Sequence, residues 1–129
     1  SDLEQLEWGT YIEQGKAGQH TAAFFGWIAD NGDPDNFLNV FFNSDNRGST
    51  NRAFYVNEEV DSLLEEAQQI TDESEREAIY QEVQQIIVDD APFVFLNHMK
   101  MQIPIRKSVK NYVLYPTNNK YFHKVWLEQ

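Results

Sequence analysis

The clearest structural signal in the chain is the stretch Asn57-Glu58-Glu59-Val60-Asp61-Ser62-Leu63-Leu64-Glu65-Glu66-Ala67. Its apolar residues recur at i, i+3, i+4 and i+7 with acidic or polar residues between them, which predicts an amphipathic helix with one face in a core. Asn57 suits the N-cap because its side chain can accept a hydrogen bond from a first-turn amide. The acidic residues after it favour the positive end of the helix dipole.

A second helix is predicted to follow at once. Thr71 or Asp72 can cap it, and Asp72 with Glu75 is similar to a capping box. Pro92 ends it, since proline cannot continue a helix. The apolar stripe consists of Ile79, Val83, Ile86 and Ile87. The two amphipathic helices are therefore expected to pack on each other.

Upstream of these helices, apolar runs and turn formers alternate. Thr21 to Trp27 is predicted to be a buried strand, with Asp30 in the loop beyond it. Phe37 to Phe42 is predicted to be a short helix or turn, and Asn43 to Arg52 a loop. Near the start we expect a short strand over Leu3–Trp8 and a brief helix from Tyr11, capped by Thr10 and ended by Gly15 and Gly18.

Downstream, short strands are predicted. Phe93–Leu96 has the pattern of a buried strand, and Met99–Ile105 that of an edge strand because of Pro104. Val109–Tyr115 and Tyr121–Trp126 are predicted as further short strands, joined by a turn at Pro116-Thr117-Asn118-Asn119. Two helices against a few strands make an α/β fold the expectation.

The bulk composition is that of one globular domain. The chain has 129 residues, 41% hydrophobic and 14% aromatic, with no cysteine and a formal charge of −11. The charge argues against nucleic-acid binding, which depends on Lys and Arg displacing counterions. Without cysteine, a disulfide, a Cys-ligated metal site or a thiol nucleophile is excluded. Because the chain begins at Ser1 and not at a methionine, we expect it to be a processed piece of a longer protein.

The charge is unevenly distributed along the chain. Residues 1–97 contain 20 acidic and 4 basic residues, whereas residues 98–129 contain 6 basic residues and one acidic residue, Glu128. The basic segment is also rich in aromatic and apolar residues, unlike a disordered basic arm. We therefore expect it to pack against something.

Three carboxylates, those of Asp30, Asp33 and Asp35, lie within six residues. Such a cluster can bind Ca²⁺, but the spacing does not fit an EF-hand, whose twelfth position is glutamate. Counted from Asp30, that position is Phe41. Asp33, Asp35 and Asn36 also suit turn and capping roles, because Asx side chains bond to nearby amides. An acidic Ca²⁺-binding or protein-interaction loop over Asp30–Asn36 stays an alternative.

The sequence gives no positive sign of catalysis. The histidines, His20, His98 and His123, are far apart in the sequence, and neither a Gly-x-Ser-x-Gly elbow nor a glycine-rich phosphate loop occurs. We expect no enzyme activity, no metal and no cofactor.

Several segments resemble the extracellular peptide-binding proteins that supply ABC importers, family 5 of the solute-binding proteins. They are Gly26–Asp30, residues 51–61, Arg76 with Tyr80, and Asp90-Ala91-Pro92; residues 31–37 favour the dipeptide-binding branch. The resemblance extends over nearly the whole chain but only about the last quarter of such a protein.

The resemblance implies a binding site rather than an active site. Asp30 would pair with the α-amine of the ligand, Gly26 and Ile28 would hydrogen-bond to its main chain as in β-augmentation, and Trp27 would form a pocket wall. The group that clamps the ligand carboxylate would lie outside this chain, which would then hold half of a site. The missing cysteines in residues 43–54, where some periplasmic members have a disulfide, suggest a lipoprotein or another lineage.

The resemblance also implies a division of the chain between two lobes. Residues 1–96 would form part of the second ligand-binding lobe, and residues 97–129 would cross the hinge and finish the first. The implied partners are a small peptide and a membrane permease, outside the cell or in the periplasm. Alone, the piece would expose lobe surface, for which homodimerisation is one outcome.

Overall fold

A computed structural model describes residues 3–117 and 119–128. Over these residues it contains four α-helices and a small antiparallel sheet. The helices are α1 (Trp8–Lys16), α2 (Asp35–Phe42), α3 (Glu58–Gln69) and α4 (Glu73–Asp90); the strands are β1 (Val109–Lys110) and β2 (Trp126–Leu127). A single turn of 3-10 helix, Ser44–Asn46, follows α2. None of the helices described is long and apolar enough to cross a membrane.

The predicted pair of amphipathic helices is present as α3 and α4. The Asn57 side chain caps α3 by accepting from the amides of Glu59 and Val60. Asp72 caps α4, and Ala91 ends it in a left-handed conformation (φ 51°) just before Pro92. The apolar periodicity and the capping residues in the sequence are thus sufficient to predict both helices.

Helices α2, α3 and α4 enclose the main core. The buried members of this core come from α2, from the two predicted stripes and, at Tyr80, from a position on α4 outside its predicted stripe: Leu38, Phe42, Val60, Leu64, Ala67, Tyr80, Val83 and Ile87. Leu63, Ile79 and Ile86 are partly buried against it. Phe93, just after α4, packs with its ring centroid 5.1 Å from that of Phe42. This core fixes α2, and with it the loop that precedes α2.

The loop between α2 and α3 is organised around Asn51, whose side chain is fully buried. Its amide nitrogen donates to the carbonyls of Asn43 and Tyr55, and its amide oxygen accepts from the Tyr55 N–H at 3.1 Å. The Tyr55 hydroxyl in turn donates to Asp90 at 2.6 Å. The segment Asn43–Arg52, predicted only as a loop, is therefore bonded to the residues that pack around α3 and α4.

The prediction for the N-terminal region was wrong in detail. Leu3–Trp8 forms no strand, and α1 begins at Trp8 rather than Tyr11. Its cap is Glu7, whose carboxylate accepts from the amides of Gly9 and Thr10. Thr10 lies inside the helix. Glutamate is longer than the usual capping residues and is not among those preferred at an N-cap, so the cap at Glu7 was not predicted.

The predicted strands at Thr21–Trp27, Phe93–Leu96 and Met99–Ile105 are absent from the described structure. Phe24, Val94 and Leu96 are exposed rather than buried, at 73%, 83% and 66%. Strand formation needs a neighbouring strand to satisfy the backbone, and nothing in the described chain pairs with these segments. Their apolar pattern thus lacks the partner that it requires.

The C-terminal segment contains strand only where its two ends meet. Val109 pairs with Leu127 and Lys110 with Trp126, much less than the predicted 109–115 and 121–126. An ion pair of 2.7 Å between Lys110 and Glu128 closes this ribbon. Asn118, within the predicted turn, lies outside the described residues.

Candidate functional site

The loop from Asp30 to Asn36 is held by its own side chains. The side-chain oxygen of Asn31 accepts from the Asp33 amide at 3.0 Å, and Asp33 Oδ1 accepts from the Asp35 amide at 2.9 Å. These are the local Asx bonds expected where a chain turns into a helix. The turn roles predicted for this acidic stretch are thus present for Asp33.

Arg76 on α4 secures the same loop over a long sequence distance. Its guanidinium makes a bidentate ion pair with Asp33, with N···O distances of 2.7 and 2.9 Å. It also donates to the Tyr80 hydroxyl and to the Ala67 carbonyl. The hydrogen bonds from Arg76 lower the pKa of Asp33. This loop is therefore fastened to the α3–α4 pair.

Asp35 is engaged as well, since it accepts from Gln68 Nε2 at 3.0 Å. Two of the three clustered carboxylates are thus occupied by contacts within the fold. Among the described residues, no group of three or more acidic or histidine side chains is arranged to hold a metal ion. The loop geometry gives the Ca²⁺ alternative no additional support.

Asp30 differs from its neighbours. It is exposed, and its carboxylate has no hydrogen-bond or ion-pair partner within residues 3–117 and 119–128. Its backbone is nevertheless fixed on both sides: the N–H donates to Asn36 Oδ1 at 3.1 Å, and the carbonyl accepts from Asn119 Nδ2 at 2.9 Å. The result is a positioned carboxylate that is free to meet a cation.

Trp27 lies three residues before Asp30 in the sequence and is also held by Asn36. Its indole N–H donates to Asn36 Oδ1 at 3.3 Å. Its ring meets Phe41 of α2 edge to face, with centroids 5.5 Å apart. The side chain remains 41% exposed. One part of the ring is thus anchored, and another part is available as a wall.

Gly26 and Ile28 flank Trp27 in a segment without helix or strand. Their backbone amides and carbonyls take part in no hydrogen bond with the described part of the chain. A Cβ placed on Gly26 would meet no other atom within 4 Å, so the space beside it is open. Such a backbone can accept an added extended peptide.

The four residues predicted for ligand binding therefore lie within five positions of the sequence and are all exposed. Within the described residues, no hydrogen bond or ion pair occupies the Asp30 carboxylate or the backbone of Gly26 and Ile28. The sequence did not predict which residues of the same chain hold them by hydrogen bonds. Asn36 was expected only as a turn residue, and Asn119 was not expected to contact this loop at all. The ion pair between Arg76 and Asp33 was not predicted either, although Asp33 was named in the acidic loop and Arg76 in the family resemblance.

A concavity adjoins the loop at Gly32–Pro34. It is an open cleft of about 860 Å³, lined among others by Gly32, Asp33, Arg76 and Tyr80. Asp30 does not line it. Because Asp33 and Arg76 neutralise each other there, the cleft presents no free charge from this pair to a ligand. The predicted ligand-binding segment, Gly26–Asp30, does not line this cleft.

Over nearly its whole length, the chain is similar to proteins that are named as ligand-binding proteins. The predicted resemblance to family 5 solute-binding proteins of ABC importers is confirmed. The chain is 34% identical over 124 residues to the dipeptide-binding protein of Escherichia coli K12, and 40% identical over 119 residues to heme-binding protein A of Haemophilus influenzae. These matches cover 95% and 92% of the chain.

The solved structures agree on the fold. An ABC transporter-associated periplasmic binding protein, DppA from Helicobacter pylori in complex with the peptide STSA, matches 99% of the chain with a TM-score of 0.83 and 35% identity. The chain covers 26% of that structure, and 22% and 23% of the two relatives above. These relatives are named as binding proteins, not as enzymes. No protein-family model matches the chain.

Proposed function

We propose that this chain is a segment of an extracellular peptide-binding protein of an ABC importer, and that it supplies the half of the ligand site that binds the α-amine. Asp30 pairs with the ammonium group of the ligand. Gly26 and Ile28 hydrogen-bond to the peptide main chain, and Trp27 forms a side wall. A dipeptide is the ligand that the relatives favour most, since the dipeptide-binding protein of Escherichia coli is among them.

The observation that carries this proposal is that, in the part of the chain that the structure describes, the Asp30 carboxylate has no partner and the backbone of Gly26 and Ile28 makes no hydrogen bond. Asp33 and Asp35 are committed to Arg76 and Gln68, whereas Asp30 has a fixed backbone and an open side chain. A charge-assisted hydrogen bond to an ammonium is about twice as strong as a neutral one. The adjacent backbone groups would then hydrogen-bond to the main chain of the peptide, whatever its side chains are.

The proposal includes the division into lobes. Residues 1–96 belong to one lobe, and residues 97–129 cross to the other, so that closure brings the two around the peptide. The hydrogen bond from Asn119 to the Asp30 carbonyl joins the two parts at the site. The carboxylate clamp is supplied from outside this chain. A membrane permease receives the peptide, and the protein works in the periplasm or outside the cell, with a lipid anchor elsewhere in its length.

The test is calorimetric titration of the full-length protein that carries this segment with dialanine. Asp30→Asn removes the charge and retains the shape, and we expect binding at least about a hundredfold weaker, in the range found when one partner of a shielded charge pair is removed. Asp45→Asn is the matched control, because Asp45 is another exposed aspartate in the same half of the chain. Equal affinity of wild type and Asp30→Asn would refute the assignment.

Heme is the second candidate cargo, because heme-binding protein A is 40% identical to this chain. The same titration is therefore run with hemin and with Ca²⁺. Hemin binding without dialanine binding would replace the peptide by heme. Ca²⁺ binding that is lost in Asp30→Asn would instead support the acidic metal-binding loop.

A further inference from the structure

We propose that Asn36 is the positioning residue of the amine site, because one oxygen atom holds both the wall and the anchor. This inference rests on the proposed function and assigns a role to a residue that touches no ligand. Asn36 Oδ1 accepts from the Trp27 indole N–H at 3.3 Å and from the Asp30 backbone N–H at 3.1 Å. A single side chain thus links the indole of the pocket wall to the backbone of the residue that carries the carboxylate.

Asn36 is itself well fixed. It is the second residue of α2, and its own N–H donates to the Asp33 carbonyl at 3.1 Å. Two turns of the same helix are anchored in the core by Leu38 and Phe42, which are 9% and 4% exposed. The rigidity of the core therefore reaches the Gly26–Asp30 segment through the Asn36 side chain.

The use of this side chain is unusual for its place in the helix. Asparagine at a helix start commonly accepts from amides of its own helix. Asn36 Oδ1 instead accepts from groups nine and six residues earlier in the sequence. Asp33 supplies the local bond to the Asp35 amide. A contribution to helix capping therefore does not account for Asn36.

Removing the oxygen has a specific expected effect. In Asn36→Ala, the Trp27 indole and the Asp30 amide both lose their acceptor, and the Asp33–Arg76 ion pair remains. We expect affinity for dialanine to fall about tenfold, in keeping with the loss of two partly exposed hydrogen bonds. The preference for dialanine over N-acetyl-dialanine should fall with it, because the amine is the group that Asp30 no longer meets in a fixed geometry.

The test uses the full-length protein in three variants. Asn36→Ala deletes the acceptor, Asn36→Asp retains an oxygen at the same position, and Asn39→Ala makes the same deletion one turn later on α2. Affinities for dialanine and N-acetyl-dialanine are measured by calorimetry. The Trp27 indole N–H is followed by NMR and assigned through Trp27→Phe. Asn36→Ala should move the indole signal and reduce the preference for the free amine, whereas Asn39→Ala should do neither, and the melting temperatures of these two variants should agree within about two degrees.

The outcomes separate this inference from the proposed function. If wild type binds dialanine, Asp30→Asn does not, and Asn36→Ala binds like wild type, the positioning role is refuted while the amine site stands. An affinity loss in Asn36→Ala with an unmoved indole signal, or one not restored by Asn36→Asp, would also refute it. If Asp30→Asn binds as well as wild type, the proposed function fails first.

Discussion

At the residue scale, three neighbouring aspartates have three different fates. Asp33 is neutralised by Arg76, Asp35 is bonded to Gln68, and the Asp30 carboxylate has no partner among residues 3–117 and 119–128. The sequence could indicate turn roles for this stretch because Asx bonds are local. It could not indicate Arg76 as the partner of Asp33, since the two are 43 residues apart and meet only through the packing of α4.

The Asp33–Arg76 pair gives a pH-dependent prediction. The pKa of Asp33 is lowered in the folded state, chiefly by hydrogen bonds from Arg76, so the pair stabilises the fold above the unfolded-state pKa of about 3.9. This contribution is lost as the pH falls through the lower, folded-state pKa. Asp33→Asn should therefore reduce the free energy of unfolding by about 1 kcal/mol at pH 7, because the pair is only partly shielded.

The measurement is urea unfolding of the 129-residue chain, followed by helical circular dichroism. The difference between wild type and Asp33→Asn should shrink as the pH is lowered below about 4. Asp45→Asn serves as the charge-matched control. A difference that stays constant down to pH 2 would show that the substitution acts by something other than the charge pair.

At the scale of elements, the two long helices α3 and α4 were predictable, whereas the predicted strands are absent or much shorter than expected. The apolar spacing of α3 and α4, with Asn57 and Asp72 as caps, depends on local sequence alone. The strand predicted at Thr21–Trp27 needs a neighbour, and the described chain provides none. The same segment carries Gly26 and Ile28 of the candidate site. The prediction of a strand at this segment failed because its backbone has no partner in the described chain. The same lack of a partner is the basis of the proposal that a peptide pairs with it.

The core of the helical unit can be tested with two valines on α4. Val83 is fully buried and Val88 is 55% exposed. Val83→Ala should lower the free energy of unfolding by about 2 kcal/mol through lost burial and a residual cavity. Val88→Ala should change it by less than about 0.5 kcal/mol. Equal effects in urea unfolding would contradict the arrangement of α4.

At the scale of the whole molecule, two properties change after α4. The chain turns from acidic to basic near His98, and several apolar side chains in residues 94–105 are exposed, among them Val94, Leu96 and Met99. Composition alone indicated that the basic segment would pack on something. It could not indicate on what, because the chain spans only 22% to 24% of the curated relatives.

This exposed surface leads to a prediction about association. Isolated proteins seldom leave so large an apolar surface in water. The 129-residue chain should therefore form dimers or larger species at micromolar concentration, measured by light scattering after size exclusion. The full-length protein, in which the proposed lobe covers residues 94–105, should be monomeric under the same conditions. A monomeric 129-residue chain would contradict this account of the surface.

Recognition of the free amine of a peptide by Asp30 underlies the whole proposed function. Its most direct test is calorimetric titration of the full-length protein with dialanine and with N-acetyl-dialanine, in wild type and in Asp30→Asn. Acetylation removes the positive charge from the ligand, as Asp30→Asn removes the negative charge from the protein. We predict that acetylation weakens binding to wild type at least about a hundredfold, and that it causes little further loss in Asp30→Asn. Tight binding of both ligands by wild type, or an equal penalty for acetylation in both proteins, would contradict the claim.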